Sequence, residues 1–216
     1  RDRHGTVQTM TALGFLDFAS VFIFALTGAF AASRQQLDIV GFAFAACLTA
    51  VGGGTMRDVL LDRNPVFWIA QPAYIAVACA AAILVYFTAH MFESRMRTLI
   101  WLDSFALAVA VPAGTGVALA LDQPVLVVVL MGTITGCMGG LLRDVVLDDV
   151  PVVLKQGELY VTAAFAGATV AALSRPLFSD TLAPLVLCAA VTWGLRAGSI
   201  AFGWRLPVYK SRPPRK

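Results

Sequence analysis

The stretch GGGTMRDVLLDRNPV, residues 52–66, follows directly on the apolar run IVGFAFAACLTAV and returns at residues 138–152 as MGGLLRDVVLDDVPV, with nine of fifteen positions identical. Working outward from it, one ungapped offset of 86 aligns residues 16–87 with 102–173. Leu16-Asp17 then falls on Leu102-Asp103, Gly28 on Gly114, Thr49 on Thr135, Gly53-Gly54 on Gly139-Gly140, Arg57-Asp58-Val59 on Arg143-Asp144-Val145, Asp62 on Asp148, Pro65-Val66 on Pro151-Val152, and Tyr74 on Tyr160. Chance does not hold glycine, arginine, aspartate, proline and tyrosine in register together, so the chain carries an internal repeat.

The solvent of that repeat follows from composition. With 59% apolar and 13% charged residues in 216 and a mean hydropathy of +0.79, there is too little polar side chain to cover a water-soluble domain. Segments of about 17–25 apolar residues span the roughly 30 Å of hydrocarbon in a bilayer. Seven can be placed, near 15–33, 39–56, 72–89, 99–121, 124–142, 158–173 and 182–203. Each copy holds three of them, and an odd number makes the second copy enter from the opposite side. The expected fold is therefore an all-α polytopic membrane protein. It has one transmembrane domain, 15–203, built as two inverted three-helix repeats (16–90 and 99–173), a seventh helix at 182–203, and a basic tail at 204–216.

Lysine and arginine set the expected orientation. One side receives Arg34, Arg95, Arg97, Arg143, Lys155, Arg205, Lys210, Arg212, Arg215 and Lys216, ten in all; the other receives the five Arg1, Arg3, Arg57, Arg63 and Arg175. The excess puts the C-terminus in the cytoplasm and the N-terminus outside, in a cell (inner) membrane. The net charge of +3 collects at chain ends and loops, which is no nucleic-acid footprint. Cys47, Cys79, Cys137 and Cys188 sit in apolar runs without metal-ligand or redox spacing and read as small buried hydrophobes. His4 and His90 fall at segment ends and read as solvated. Trp68, Trp101, Trp193 and Trp204 lie near span ends, as an aromatic belt requires.

Glycine inside a helix costs about 1 kcal/mol relative to alanine, so Gly52, Gly53 and Gly54 need a reason. One reason is packing: Gly132, Gly136 and Gly140 recur at four-residue spacing, Ala46, Ala50 and Gly54 match them, and small residues let helices approach closely. The other is that the glycines loosen or break the helix at membrane depth and free carbonyls toward a cavity. Arg57-Asp58 and Arg143-Asp144 follow one turn later, and an unpaired charge in hydrocarbon costs several kcal/mol, so they face protein or water. Neighbours on a helix point about 100° apart. That spacing suggests pairing across the pseudo-twofold axis, Arg57 with Asp144 or Asp103 and Arg143 with Asp58 or Asp17. The plainer alternative has each charge marking a helix end and snorkelling to its own interface. Asp17 and Asp103, opening the first span of each copy, read as helix caps or pore-mouth charges. Pro65 and Pro151 end the second spans, with Asp62 and Asp148 in the exit loops.

GGGTMRDVLL with NPVFW, the second copy GGLLRDVVLDDVP and the leading LDFASVFIFALTGAFAASR resemble the prokaryotic branch of the trimeric intracellular cation channels, over nearly the whole chain from Leu16 to Gly203. The resemblance implies a homotrimer with an hourglass pore in each subunit. That pore, lined by the second and fifth spans, conducts monovalent cations and modestly favours potassium, with sodium the competing ion. Carried over position by position, it puts the pore at Gly52, Gly53, Gly54 and Arg57 in one copy and at Gly139, Gly140 and Arg143 in the other. The repeat adds Thr49, Asp58, Thr135 and Asp144 as expected pore or gating residues, with Asp17 and Asp103 as the pore-mouth or capping charges. Met138 departs from the pattern, standing where the first copy has Gly52. No cofactor is implied, no metal beyond transient monovalent cations, and no partner beyond lipid and the other subunits.

Two other classes compete. Inverted repeats with interrupted helices also build secondary transporters, and arginines suit an anionic or zwitterionic solute such as a small amino acid. An intramembrane enzyme is weakest, for the chain has no H-E-x-x-H and no G-x-S-x-G. An arginine neutralised by aspartate leaves a polar, weakly selective wall, consistent with modest selectivity and with the lack of a TVGYG-type filter.

Overall fold

A computed structural model describes residues 3–92, 94–155, 157–178, 180 and 182–207, with the side chains of 3–13 and 95 left aside. His4 and nearly all of the basic tail lie outside these described side chains. The eight described α-helices are α1 (Arg3–Arg34), α2 (Ile39–Leu60), the single turn α3 (Phe67–Ala70), α4 (Ala73–Thr88), α5 (Arg95–Ala120), α6 (Val125–Val146), α7 (Val161–Ser174) and α8 (Leu182–Phe202). Six helices are long and apolar enough to cross a membrane. The predicted sixth span is the exception, because α7 has only 14 residues and runs on into a 3-10 turn, Arg175–Leu177. The helix starts at Val161, after the 3-10 turn Val152–Leu154 and the loop to Tyr160.

Local chemistry explains the ends. Asp38 caps α2, its carboxylate accepting from the Gly41 N–H at 2.7 Å; the matching position before α6 is Pro124, which has no cap to give but a backbone fixed for helix entry. Asp62 and Asp148, with φ of 52° and 53°, turn the chain out of α2 and α6 through the left-handed region, which aspartate tolerates better than most side chains. Asp17 and Asp103 do not cap: α1 and α5 begin well before them, and Ser94 caps α5 instead, accepting from the Arg97 N–H at 3.3 Å. Both aspartates stand in helix interiors.

Helices α1, α2, α5 and α6 form the centre, with α4 against α1 and α2 and, correspondingly, α7 against α5 and α6. Helix α8 covers α5 and α7. Ala163, Gly167 and Ala171, small residues at four-residue spacing on α7, are buried inside the subunit, and a methyl on Gly167 would meet the Cys188 carbonyl of α8 at 2.8 Å. Cys137 and Cys188 are buried, as expected of small hydrophobes, whereas Cys47 and Cys79 are half-buried and touch, Sγ to Sγ 3.8 Å, between α2 and α4.

Candidate functional site: two arginine clamps around a glycine crossing

The glycine motif does not interrupt its helices. α2 runs unbroken through Gly52-Gly53-Gly54, and α6 through Gly139-Gly140. What the glycines provide is approach. A Cβ on Gly53 would collide with the Thr135 carbonyl, and one on Gly139 with the Thr49 carbonyl, so α2 and α6 cross backbone to backbone at two symmetric points. Each threonine is gripped from its other side as well. A Cβ on Gly28 of α1 would lie 2.6 Å from Thr49 Oγ1, and one on Gly114 of α5 would strike Thr135. The hydroxyls turn back on their own helices, Thr49 to the Ala45 carbonyl and Thr135 to that of Met131, both at 2.6 Å. That leaves the crossing tight, with both hydroxyls turned onto their own helices. Gly28 and Gly114 were legible only as a matched pair in the repeat; their part in the crossing is a tertiary fact. Gly52 faces Leu142 instead, and a Cβ there would lie 2.7 Å from Leu142 Cδ1, so Met138 in the second copy leaves the two Gly–Thr contacts intact.

The charges lie on either side of this crossing, and they pair within copies rather than across the axis. Arg57 Nε donates to Asp58 Oδ1 at 2.8 Å and Nη1 to Asp17 Oδ1 at 3.0 Å. Arg143 Nε donates to Asp144 Oδ1 at 2.7 Å and Nη1 to Asp103 Oδ1 at 2.9 Å. Two reasons overturn the cross-axis expectation. The crossing is antiparallel, Thr49 to Gly139 and Gly53 to Thr135, and at about 1.5 Å rise per residue each arginine sits roughly 9 Å beyond it in opposite directions. Moreover, an arginine is long enough to curl its Nε onto its own neighbour while the fork reaches the adjoining helix, which helix-face geometry for shorter side chains does not anticipate. Snorkelling fails too, since both guanidinium groups are fully buried.

Each clamp is tied to the loop after its helix. Asp58 Oδ2 accepts from the Phe67 N–H at 2.9 Å, and Asp144 Oδ2 from the Val152 N–H at 2.8 Å. Around this shared plan the copies differ. In the first, Arg63 Nη1 adds a second guanidinium on Asp58 Oδ1 at 2.8 Å, and the Phe67 ring covers both Gly54 and the Arg57 guanidinium, 5.5 Å from its centroid. In the second, the position matching Arg63 is Asp149, which turns away to Arg34 at 2.9 Å. Asp144 there forms the floor of a pocket of about 130 Å³ lined also by Arg34, Asp149 and Lys155. A further buried arginine, Arg196 of α8, bonds Glu158 at 2.9 Å and lies over the Tyr160 ring. Arg196 falls inside the 182–203 apolar run, but nothing in the sequence ties it to Glu158, 38 residues away.

A family model described as glycine transporter matches residues 14–90 and 100–176, each copy separately and at the same offset. The inner membrane protein YadS of Escherichia coli (strain K12) is 34% identical over 200 residues, covering 90% of this chain and 95% of that protein. Among solved structures, the TRIC trimeric intracellular cation channel orthologue from Rhodobacter sphaeroides superposes with a TM-score of 0.86 at 36% identity, over 89% of this chain and 99% of that one. A second structure, solved for conductance through TRIC cation channels, superposes at 0.82 with 26% identity, covering 93% and 98%. With both repeats matched and the fold shared end to end, the chain belongs to the prokaryotic branch of the trimeric intracellular cation (TRIC) channel family, the family whose model is described as glycine transporter.

Proposed function

We propose that this protein is a non-enzymatic monovalent cation channel, modestly favouring potassium over sodium, that works as a homotrimer with one pathway in each subunit. The observation that carries the reading is the pair of buried arginine–aspartate clamps, Arg57 with Asp58 and Asp17 and Arg143 with Asp144 and Asp103, set on opposite sides of the Gly53–Thr135 and Gly139–Thr49 contacts. The likeness to the Rhodobacter sphaeroides channel supports it independently. The pathway runs between α1, α2, α5 and α6, and the two glycine–threonine contacts form its closed constriction. Opening slides α2 against α6 at the points where no side chain stands between the backbones. The clamps then supply carboxylate oxygens to a passing cation while their arginines keep the wall near neutral, a surface that excludes anions weakly and sorts potassium from sodium only modestly. The lysine and arginine asymmetry supports a cytoplasmic C-terminus.

Single-channel recording from purified protein in planar bilayers under a potassium chloride gradient tests this, with Gly53→Leu alongside wild type. Discrete cation-selective openings, reshaped or abolished by the leucine, are the expected result. The description of the family as glycine transporter makes saturable glycine uptake into liposomes the companion assay. Silent bilayers together with such uptake would refute the channel.

A further inference from the structure

Cys47 of α2 and Cys79 of α4 face each other with their Sγ atoms 3.8 Å apart. Both are half-buried, unlike the buried Cys137 and Cys188. Each stands in an apolar segment long enough to cross a membrane, and at about 1.5 Å per residue each is at least about 9 Å from either end of its helix. The pair therefore lies at hydrocarbon depth. The repeat does not impose it: the matching positions carry Thr133, whose hydroxyl donates to the Val129 carbonyl at 2.8 Å, and Phe165. Among the described residues no third His, Cys, Asp or Glu joins the two thiols, so a ligand there is held by two sulfurs.

We propose that Cys47 and Cys79 form a two-sulfur site for one soft, thiophilic divalent ion, mercury(II), which links α2 to α4. Ligand number, charge and distance select it. A structural zinc ion takes four protein ligands, and two are offered. Copper(I) or silver(I) accepts two thiolates, but the product carries a net negative charge, which hydrocarbon penalises strongly. Mercury(II) with two thiolates is neutral, and it arrives neutral as its dichloride. Two Hg–Cl and two S–H bonds break, two Hg–S bonds form, and two protons and two chlorides leave for water with no electron transferred. Two metal–thiolate bonds of about 2.3 Å set in line need sulfurs about 4.6 Å apart, a spread of less than about 1 Å from the observed 3.8 Å. A disulfide needs the sulfurs at about 2.05 Å, a closer approach by more than about 1.5 Å, and an electron acceptor besides. The link ties α2, which crosses α6 through its glycines, to a peripheral helix. Where opening slides α2 against α6 such a tie acts as a brake, but the site itself does not rest on conduction.

Mercuric chloride added at one equivalent to the intact protein in detergent tests it. X-ray absorption at the mercury edge counts the ligands, and two sulfurs with no chloride are the expected result. Retention of the ion against excess 2-mercaptoethanol is the second readout, because a second tethered thiol raises retention by about 10²–10⁴-fold over a single one through effective concentration. Cys47→Ser and Cys79→Ser, small changes at half-buried positions, should each lose that margin, with Cys137 and Cys188 left in place as the single-thiol background. Mercury bound by one sulfur and one chloride in wild type overturns the proposal without recourse to any variant. So does either serine variant that retains mercury as well as wild type.

Discussion

Arg57, Arg143 and Arg196 are fully buried, and each is held by at least one carboxylate. Removing one member of such a group leaves an uncompensated charge at a cost of about 3–5 kcal/mol in soluble proteins. Arg143→Met strands two aspartates at once and should cost toward the upper end of that range, read from unfolding of the purified protein in detergent. Double-mutant cycles settle the partners: Arg57→Met with Asp17→Asn should couple by about 0.5–3 kcal/mol, whereas Arg57→Met with Asp144→Asn should be additive within about 0.5 kcal/mol. Additivity in the first cycle and coupling in the second would restore the cross-axis pairing. The repeated Arg-Asp dipeptide was visible in the sequence, and so was the need to neutralise it in hydrocarbon. The choice of partner was not. It depends on how far one arginine can curl and on the antiparallel sense of a helix crossing, neither of which is written in the spacing of residues.

At the level of helices, the glycines divide by what stands opposite them. Gly53 and Gly139 face the backbone carbonyls of Thr135 and Thr49, which cannot rotate away, and a Cβ on Gly194 of α8 meets nothing within 4 Å. Gly53→Ala or Gly139→Ala should therefore destabilise by about 1–3 kcal/mol through overpacking. Gly194→Ala should be neutral or stabilise by up to about 1 kcal/mol, the ordinary helical preference. Thermal unfolding of the three variants distinguishes close approach from loosening, since a helix-breaking role would make alanine stabilising at all three. Periodicity and length marked six of the long helices because apolar runs and flanking Pro, Asp and Gly signals agree there. They placed the start of α7 three residues early, at 158 rather than Val161, because the residues before it belong to the loop that carries Tyr160 under Arg196. The packing reading of the glycines was legible from their four-residue spacing; the competing reading of a broken helix was not borne out, because tight contact on one side holds the helical hydrogen bonds in place.

For the whole molecule, the inverted repeat organises everything else. It puts two equivalent clamps at opposite ends of one crossed helix pair, with the Gly53–Thr135 and Gly139–Thr49 contacts between them. The copies part where Arg63 has Asp149 as its counterpart and where the Phe67 N–H on Asp58 is matched, one register earlier, by the Val152 N–H on Asp144, so neutralising one end and not the other should change rectification. Arg63→Gln should make single-channel current–voltage curves asymmetric relative to wild type, and unchanged curves would place Arg63 off the path. The most direct test of the account remains the current itself, recorded in planar bilayers from purified wild-type protein under a potassium chloride gradient, with Gly53→Leu beside it. The account predicts unitary openings whose reversal potential marks cations as the carriers, lost or reshaped in the leucine variant. Bilayers that stay silent while liposomes take up glycine saturably would contradict it.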